Sequence, residues 1–266
     1  GKNVSINLTD DSGTRRFTEF WQKMIDEGLV NTSLSTWSDG WKEAVGNGTV
    51  ASMFSGAWMP SLLMSDLPGT AGLWRVSQMP TPDGKAATAE NGGSALAVLQ
   101  RSRKPEASYR FIEYACHEAD GIKTRVDGGA FPADNDTLSD AEFLSKTTVT
   151  DDRGIEVPYF GGQEYNRVLS QAAENVTTGY QYLPFEVYAR SDFRSTVGKA
   201  YKWATLLRRE QDRLNIIAAG GETDASGIGD ALKNTDSSDR LKLKSGIALW
   251  QKDLKEYGNN QGFTIQ

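Results

Sequence analysis

The stretch Glu90-Asn-Gly-Gly-Ser-Ala-Leu-Ala-Val-Leu99 decides how the rest of the sequence is read. The apolar run Ala95–Leu99 is too short for a helix and follows a glycine pair, so it predicts a buried strand. Ahead of it, Gly92 and Gly93 leave backbone amides bare, while Asn91 and Ser94 add hydrogen-bonding side chains. The pattern fits neither a Rossmann nor a Walker loop, so it implies no nucleotide. On its own it suits a ligand-binding loop or a plain turn into a strand. Behind it, Lys104–His117 sets Ala107, Phe111, Ile112, Tyr114 and Ala115 along one apolar side, predicting a helix. A strand followed by a helix is the building unit of an α/β layer.

The same alternation continues outward. Toward the N-terminus, Phe17, Phe20, Trp21, Met24 and Ile25 form one stripe of a helix over Thr14–Glu27, capped by Asp11 or Ser12 and followed by Gly28. A shorter helix is expected over Ser38–Asn47, with Trp41, Ala44 and Val45 inward. Thr49–Ser55 reads as a strand, and Gly56-Ala-Trp-Met-Pro60 as a strand-to-helix turn with Pro60 in the first helical turn and Leu62 and Leu63 inside. Trp74–Met79 alternates like another strand. Toward the C-terminus, short helical character falls on Ser139–Ser145, and Tyr159–Gly162 opens a helix to about Asn175. Tyr182–Tyr188 is an aromatic loop, followed by one long helix over Ser191–Ile217. Ala218–Asp239 is a polar excursion, and a last helix over Asp239–Tyr257 carries Leu241, Ile247, Leu249, Trp250 and Leu254.

Composition narrows the chemistry. The chain has 266 residues, 38% of them hydrophobic, enough for a sizeable core. Its net charge of −6 gives no general attraction for nucleic acid or an anionic membrane. No apolar run approaches the roughly 18–20 residues that span a bilayer. With one Cys (Cys116) and one His (His117), a zinc site is unexpected, and Ser–His and Cys–His catalysis compete for that one imidazole. No cofactor or metal is therefore expected. Cys116 reads as a buried helical filler. The carboxylate pairs Asp10-Asp11 and Asp151-Asp152 read as solvated loops. Gly1–Asp11 has no basic, apolar leader and reads as a strand from the middle of something, which leads us to expect upstream sequence.

The aromatic residues carry the functional signal. Trp37, Trp41, Trp58, Trp74, Phe131, Tyr159, Phe160, Tyr182 and Tyr188 fall at loops or element ends. Flat rings suit the C–H faces of a sugar, and neighbouring polar groups suit its hydroxyls. The competing reading makes each an ordinary core residue. Trp21, Trp203 and Trp250, on helical stripes, are assigned to the core.

Taken in order, the segments resemble the extracellular solute-binding proteins of family 1, which deliver carbohydrates to ABC importers. The matching residues run from Phe17-x-x-Phe-Trp-x-x-x-Ile-Asp-Glu-Gly28 through Trp37-Ser-Asp-Gly-Trp41, Gly48-Thr-Val-Ala-Ser-Met53 and Gly56-Ala-Trp58. They continue in Trp74-Arg-Val76, Met79-Pro80, Glu90–Ser94, Phe111-Ile-Glu-Tyr114 and Gly128-Gly-Ala-Phe-Pro132. At the C-terminus, Trp250–Gly258 and Gln261-Gly-Phe-Thr264 are similar to actinobacterial members such as those of bifidobacteria.

This resemblance implies an α/β, periplasmic-binding-protein-like type II fold of two lobes, here lacking the opening part of the first lobe. It divides the chain into 1–90 (second lobe), 91–180 (return segment of the first lobe) and 181–266 (C-terminal helices of the second lobe). It implies a monomeric, non-enzymatic protein on the outer face of the membrane, lipid-anchored at full length, that holds a small carbohydrate in an interlobe cleft and hands it to ABC permease subunits. The implied ligand contacts are Trp58, Asn91, Gly92, Gly93, Ser94, Phe131 and the Tyr182 to Tyr188 loop. Trp37, Trp41, Tyr159, Phe160 and the acceptor Glu90 come after these. Two rival classes are a glycosidase with two carboxylates across the sugar and an interaction module without a small ligand.

Overall fold

The computed structural model describes residues 2–31, 34–178, 182–221 and 242–266. The polar excursion and the Leu241 position therefore lie, over 222–241, outside the described residues. In chain order the elements are β1 (Asn3–Val4), α1 (Ser12–Asp26), α2 (Asp39–Gly46), α3 (Met59–Asp66), α4 (Pro105–His117) and α5 (Ala119–Asp127). Then come α6 (Asn135–Ser139), α7 (Ala141–Ser145), β2 (Val149–Thr150), β3 (Glu156–Val157) and α8 (Tyr165–Glu174). The chain ends in α9 (Glu186–Ser195), α10 (Val197–Ala218), α11 (Leu243–Asn260) and β4 (Thr264–Ile265). They form two compact units, Gly1–Thr36 with Gln181–Gln266, and Trp37–Tyr180. No helix among the described residues is long and apolar enough to cross a membrane.

The first unit is built on three helices. Asp11 starts α1 by accepting from the Thr14 backbone N–H at 2.6 Å and the Thr14 hydroxyl at 2.9 Å, which holds its carboxyl below the usual range. Ile25 of α1 then packs with Val197 and Ala200 of α10 and Leu243 and Ile247 of α11. Gly246 lets α11 approach closely: a Cβ there would lie 3.0 Å from the Ala200 Cβ and 3.1 Å from the Val197 Cα. A second cluster joins Ile6, Phe185, Ala189 and Leu254. β1 lies parallel to β4, with Asn3 opposite Thr264.

Two expectations for this unit are corrected. Phe17 and Phe20, on the predicted stripe, are 44% and 51% exposed and lean their rings on Trp21 instead. The long helix over Ser191–Ile217 is two helices. Thr196, at φ −111° and ψ −75°, breaks it, and its hydroxyl donates to the Asp192 carbonyl at 2.7 Å.

In the 37–180 unit, the Ser38 hydroxyl caps α2 by accepting from the Trp41 N–H at 3.2 Å, and Trp41, Ala44 and Val45 are buried as expected. In α3, Leu63 is buried but Leu62 is 39% exposed. The short helix expected over Ser139–Ser145 is divided at Asp140, whose carboxylate caps α7 through the Phe143 N–H. The helix expected from Tyr159 begins at Tyr165, because Gly161 and Gly162 at φ 62° and 79° turn the chain first.

The predicted strands Thr49–Ser55, Trp74–Met79 and Ala95–Leu99 have no strand partner among the described residues. Val76 is instead held by a side chain: its N–H donates to Gln163 Oε1 at 2.8 Å, and Gln163 Nε2 donates to its carbonyl at 2.7 Å. The structure is thus mixed and rich in helix. Thr88 bridges to Val176 and Trp58 bonds to Asn91, both within the Trp37–Tyr180 unit. Cys116, read as a core filler, is exposed on α4.

Asp192 supplies a test of the packing in the first unit. One of its carboxylate oxygens is buried without a hydrogen-bond partner, and desolvation, with the Asp253 charge next, pushes its pKa up. A carboxyl that holds its proton more tightly when folded stabilises fully below its unfolded pKa, and that stability is lost as pH rises through the raised value. Asp192→Asn should therefore raise the melting temperature by about 2 °C at pH 7 and leave it unchanged near pH 3. Calorimetry showing an equal shift at both pH values would contradict this account.

Candidate functional site

The site begins at the turn into α3. Trp58 precedes the first helical residue, and Pro60 follows in the opening turn, where a missing N–H costs nothing. The indole lies across Gly56 and donates its Nε1–H to the Asn91 carbonyl at 2.7 Å. A Cβ on Gly56 would sit 2.3 Å from that nitrogen and 2.8 Å from the carbonyl oxygen, so only glycine leaves room. Gly92 is needed for a second reason. It stands at φ 98°, a region costly for other residues, and a Cβ on it would come within 3.1 Å of the same indole nitrogen.

Two more tryptophans extend this surface. Trp37 lies 4.9 Å from Trp41 and 6.5 Å from Trp58 between ring centroids, tilted by 58° and 43°. Trp41 is buried and forms the base, while Trp37 is 38% exposed. Trp37 also holds φ 71°, the one positive value at a non-glycine among the described residues. Such a backbone costs on the order of 1–3 kcal/mol and persists where its surroundings over-determine it.

On its other side the Trp58 turn is tied to the 128–132 loop. The Ser61 hydroxyl donates to the carbonyls of Trp58 at 3.2 Å and Gly129 at 3.3 Å. Gly129 is at φ 90°, and a Cβ there would clash with the Ser61 Cβ at 2.6 Å. This contact brings Phe131, itself 6.0 Å from the Phe143 ring, to a cavity of about 270 Å³. Ala57, Ser61, Lys146, Asp152 and Asn166 also line the cavity. The adjacent Asp151 carboxyl is held below its usual value by the Ile155 N–H, then by Arg153, whose guanidinium bonds it at 2.8 Å.

The structure thus brings together Trp37, Trp41, Trp58, Asn91 and Gly92, with Phe131 joined through Ser61. Glu90, Gly93 and Ser94 are exposed on the same loop. Tyr159 and Phe160 are corrected to core residues, 0% and 3% exposed. The Tyr159 hydroxyl donates to the Leu67 carbonyl at 2.9 Å and lies 2.5 Å from the Thr70 hydroxyl, so its polar tip is fully engaged inside. Burial raises the Tyr159 pKa and pushes that of Tyr165 up to about 12, so both phenols are neutral at physiological pH.

Tyr182 and Tyr188 belong to the other unit. Tyr182 is 61% exposed with the Arg190 guanidinium 5.9 Å over its ring, whereas Tyr188 is stacked on Tyr257 at 3.7 Å. Sequence reading missed Gly56, Ser61 and Asn166. Gly56 was legible in the Gly-Ala-Trp turn; Asn166, buried in α8 with its amide donating to the Phe143 carbonyl, gave no local signal.

Comparison with known proteins follows the same lines. The family model of the bacterial extracellular solute-binding protein matches residues 1–150. Among solved structures, the ABC transporter associated binding protein from B. animalis subsp. lactis Bl-04, in complex with beta-1,6-galactobiose, is 44% identical with a TM-score of 0.79. The match covers 100% of this chain and 56% of that protein, so the chain spans little more than half of its relative's length. No curated protein matches the chain significantly. With more than half of its length matching the family model and its fold shared with a solved binding protein, the chain belongs to the bacterial extracellular solute-binding protein family.

Proposed function

We propose that the protein captures a sugar or short oligosaccharide outside the cell and delivers it to an ABC transporter permease, lipid-anchored at full length and without altering its ligand. The observation that carries this reading is the Trp37–Trp41–Trp58 cluster fixed against the bare backbone of Asn91 and Gly92. The Trp58 N–H is spent on the Asn91 carbonyl, so the indole serves a ligand through its face. An apolar face for C–H groups, beside unsubstituted peptide groups for hydroxyls, is what a saccharide requires. The relative's bound disaccharide supports the same class, with β-1,6-linked galactose units as the first ligand to try. Phe131 and the exposed Tyr182 are further proposed ligand contacts.

Three measurements test this. A thermal-shift screen of mono- and disaccharides should find a ligand that raises the melting temperature with concentration, as mass action requires; no shift with any sugar rejects the proposal. Trp58→Ala should weaken that ligand roughly 5- to 150-fold by calorimetric titration, from one stacking contact of about 1–3 kcal/mol. Gly56→Ala keeps every ring but drives a methyl into the indole. It should weaken the ligand to a similar degree with the circular dichroism spectrum unchanged, and full affinity in that variant would remove the indole's placement from the argument.

A further inference from the structure

The cavity beside the Trp58 turn holds two polar groups that the protein itself does not use. Asn166 of α8 is 5% exposed and lines it. Its Nδ2 donates to the Phe143 carbonyl at 3.0 Å, and no described residue donates to its Oδ1. That oxygen is not sealed in, unlike the unpartnered Ser170 hydroxyl and Asp192 carboxylate oxygen, so it opens onto the cavity. A buried acceptor without a donor is costly unless something else supplies one. Lys146 is the second group. It is half-buried on the same cavity, and its ammonium has no carboxylate partner among the described residues.

The charges around these two groups already balance. Among the described residues Lys146 is the one cation on the cavity wall, and Asp127, Asp151 and Asp152 are the anions. Asp127 is paired with Lys123 at 3.1 Å and Asp151 with Arg153 at 2.8 Å. Asp152 takes only the Ser65 hydroxyl, at 3.4 Å, and offsets Lys146. An anionic ligand would meet three carboxylates for one ammonium, and a cationic one would face Lys146. A neutral ligand with hydroxyls disturbs neither. Each hydroxyl donates, as Asn166 Oδ1 and Asp152 require, and accepts, as Lys146 requires. Phe131 and Phe143 add an apolar wall for C–H groups. At about 270 Å³ the cavity is smaller than the roughly 300–1,000 Å³ of sites for drug-sized molecules, which leaves room for one sugar ring and not two.

We propose that this cavity is a subsite for one neutral sugar ring of a disaccharide, with Asn166 and Lys146 reading its hydroxyls, while the other ring lies on the Trp58 face. The subsite rests on the sugar capture proposed above and narrows its ligands to those of at least two units. The two places are joined by the chain: Ala57 lines the cavity, and Trp58, the next residue, carries the stacking face. The Ser61 hydroxyl ties that same turn to the 128–132 loop. Trp58 holds a sugar; Asn166 and Lys146 select which one.

The test titrates the 266-residue chain calorimetrically with β-1,6-galactobiose, the β-1,6-linked glucose disaccharide, galactose and glucose. One disaccharide should bind about ten- to a hundredfold more tightly than its own monosaccharide, the range of hydrogen bonds to charged groups. Lys146→Met keeps the aliphatic stem and removes the ammonium. It should erase most of that advantage and leave the monosaccharide affinity unchanged. At least one singly deoxygenated form of the disaccharide should bind weakly to the wild type, yet bind Lys146→Met as well as the parent sugar does. A lysine that merely supports the fold does not produce that coupling. Asn166→Ala should likewise weaken the disaccharide and spare the monosaccharide; equal loss of both would strike Asn166 from the subsite. The disaccharide with both units oxidised to uronic acids should bind at least tenfold more weakly. Equal affinity for a disaccharide and its monosaccharide, full disaccharide affinity in Lys146→Met, or tighter binding of the acid form overturns the subsite and leaves sugar capture standing. Binding of none of the four sugars also overturns it, and the wider thermal-shift screen then decides separately whether sugar capture falls as well.

Discussion

The hydrogen bond from the Trp58 indole to the Asn91 carbonyl is the constraint around which the candidate site is arranged. It joins residues far apart in sequence, and it does so through a side chain that would otherwise swing freely at the start of α3. Two glycines make it possible, since a Cβ at either Gly56 or Gly92 would crowd the indole nitrogen. Fixing a large aromatic group before a ligand arrives removes an entropic cost from binding. The remaining ring contacts, Trp37 on Trp58 and on the buried Trp41, then extend one oriented surface.

In the unit holding both termini, long helices cross closely at Gly246 and bury continuous clusters of aliphatic and aromatic residues. The 37–180 unit also buries apolar side chains, Val45, Leu63, Tyr159 and Phe160 among them, and adds polar ties between irregular segments. Gln163 acts as a surrogate strand for Val76, the Tyr159 hydroxyl joins Leu67 and Thr70, and the Ser61 hydroxyl bridges the carbonyls of Trp58 and Gly129. Such ties fix the positions of loops that carry no regular secondary structure.

Local features of the sequence were the most legible. Asp11 and Ser38 announce the starts of α1 and α2, and the Trp41–Ala44–Val45 face is buried as its spacing requires. Features that depend on distant neighbours were not. The pattern of Ala95–Leu99 states correctly that the run suits an interior, but strand pairing is a property of two segments, and no second one lies beside it among the described residues. Tyr159 and Phe160 stand at an element end, where a ligand contact is plausible, and only the folded chain shows Leu67 and Thr70 enclosing the Tyr159 hydroxyl. Thr196 breaks a helix without proline or glycine, at φ −111° and ψ −75°, while its hydroxyl bond to the preceding turn is one that Thr18 and Thr205 make inside unbroken helices. The aromatic residues at turns were a sound guide to the Trp58 cluster because a turn fixed by glycine leaves few directions for a large ring.

The single sulfhydryl, Cys116, has a practical consequence. It is exposed near the end of α4, the helix whose rings are uncovered, and no other thiol in the chain competes for reagent. One maleimide dye therefore labels one defined position, and its emission reports on the polarity around that helix directly, without altering any tryptophan.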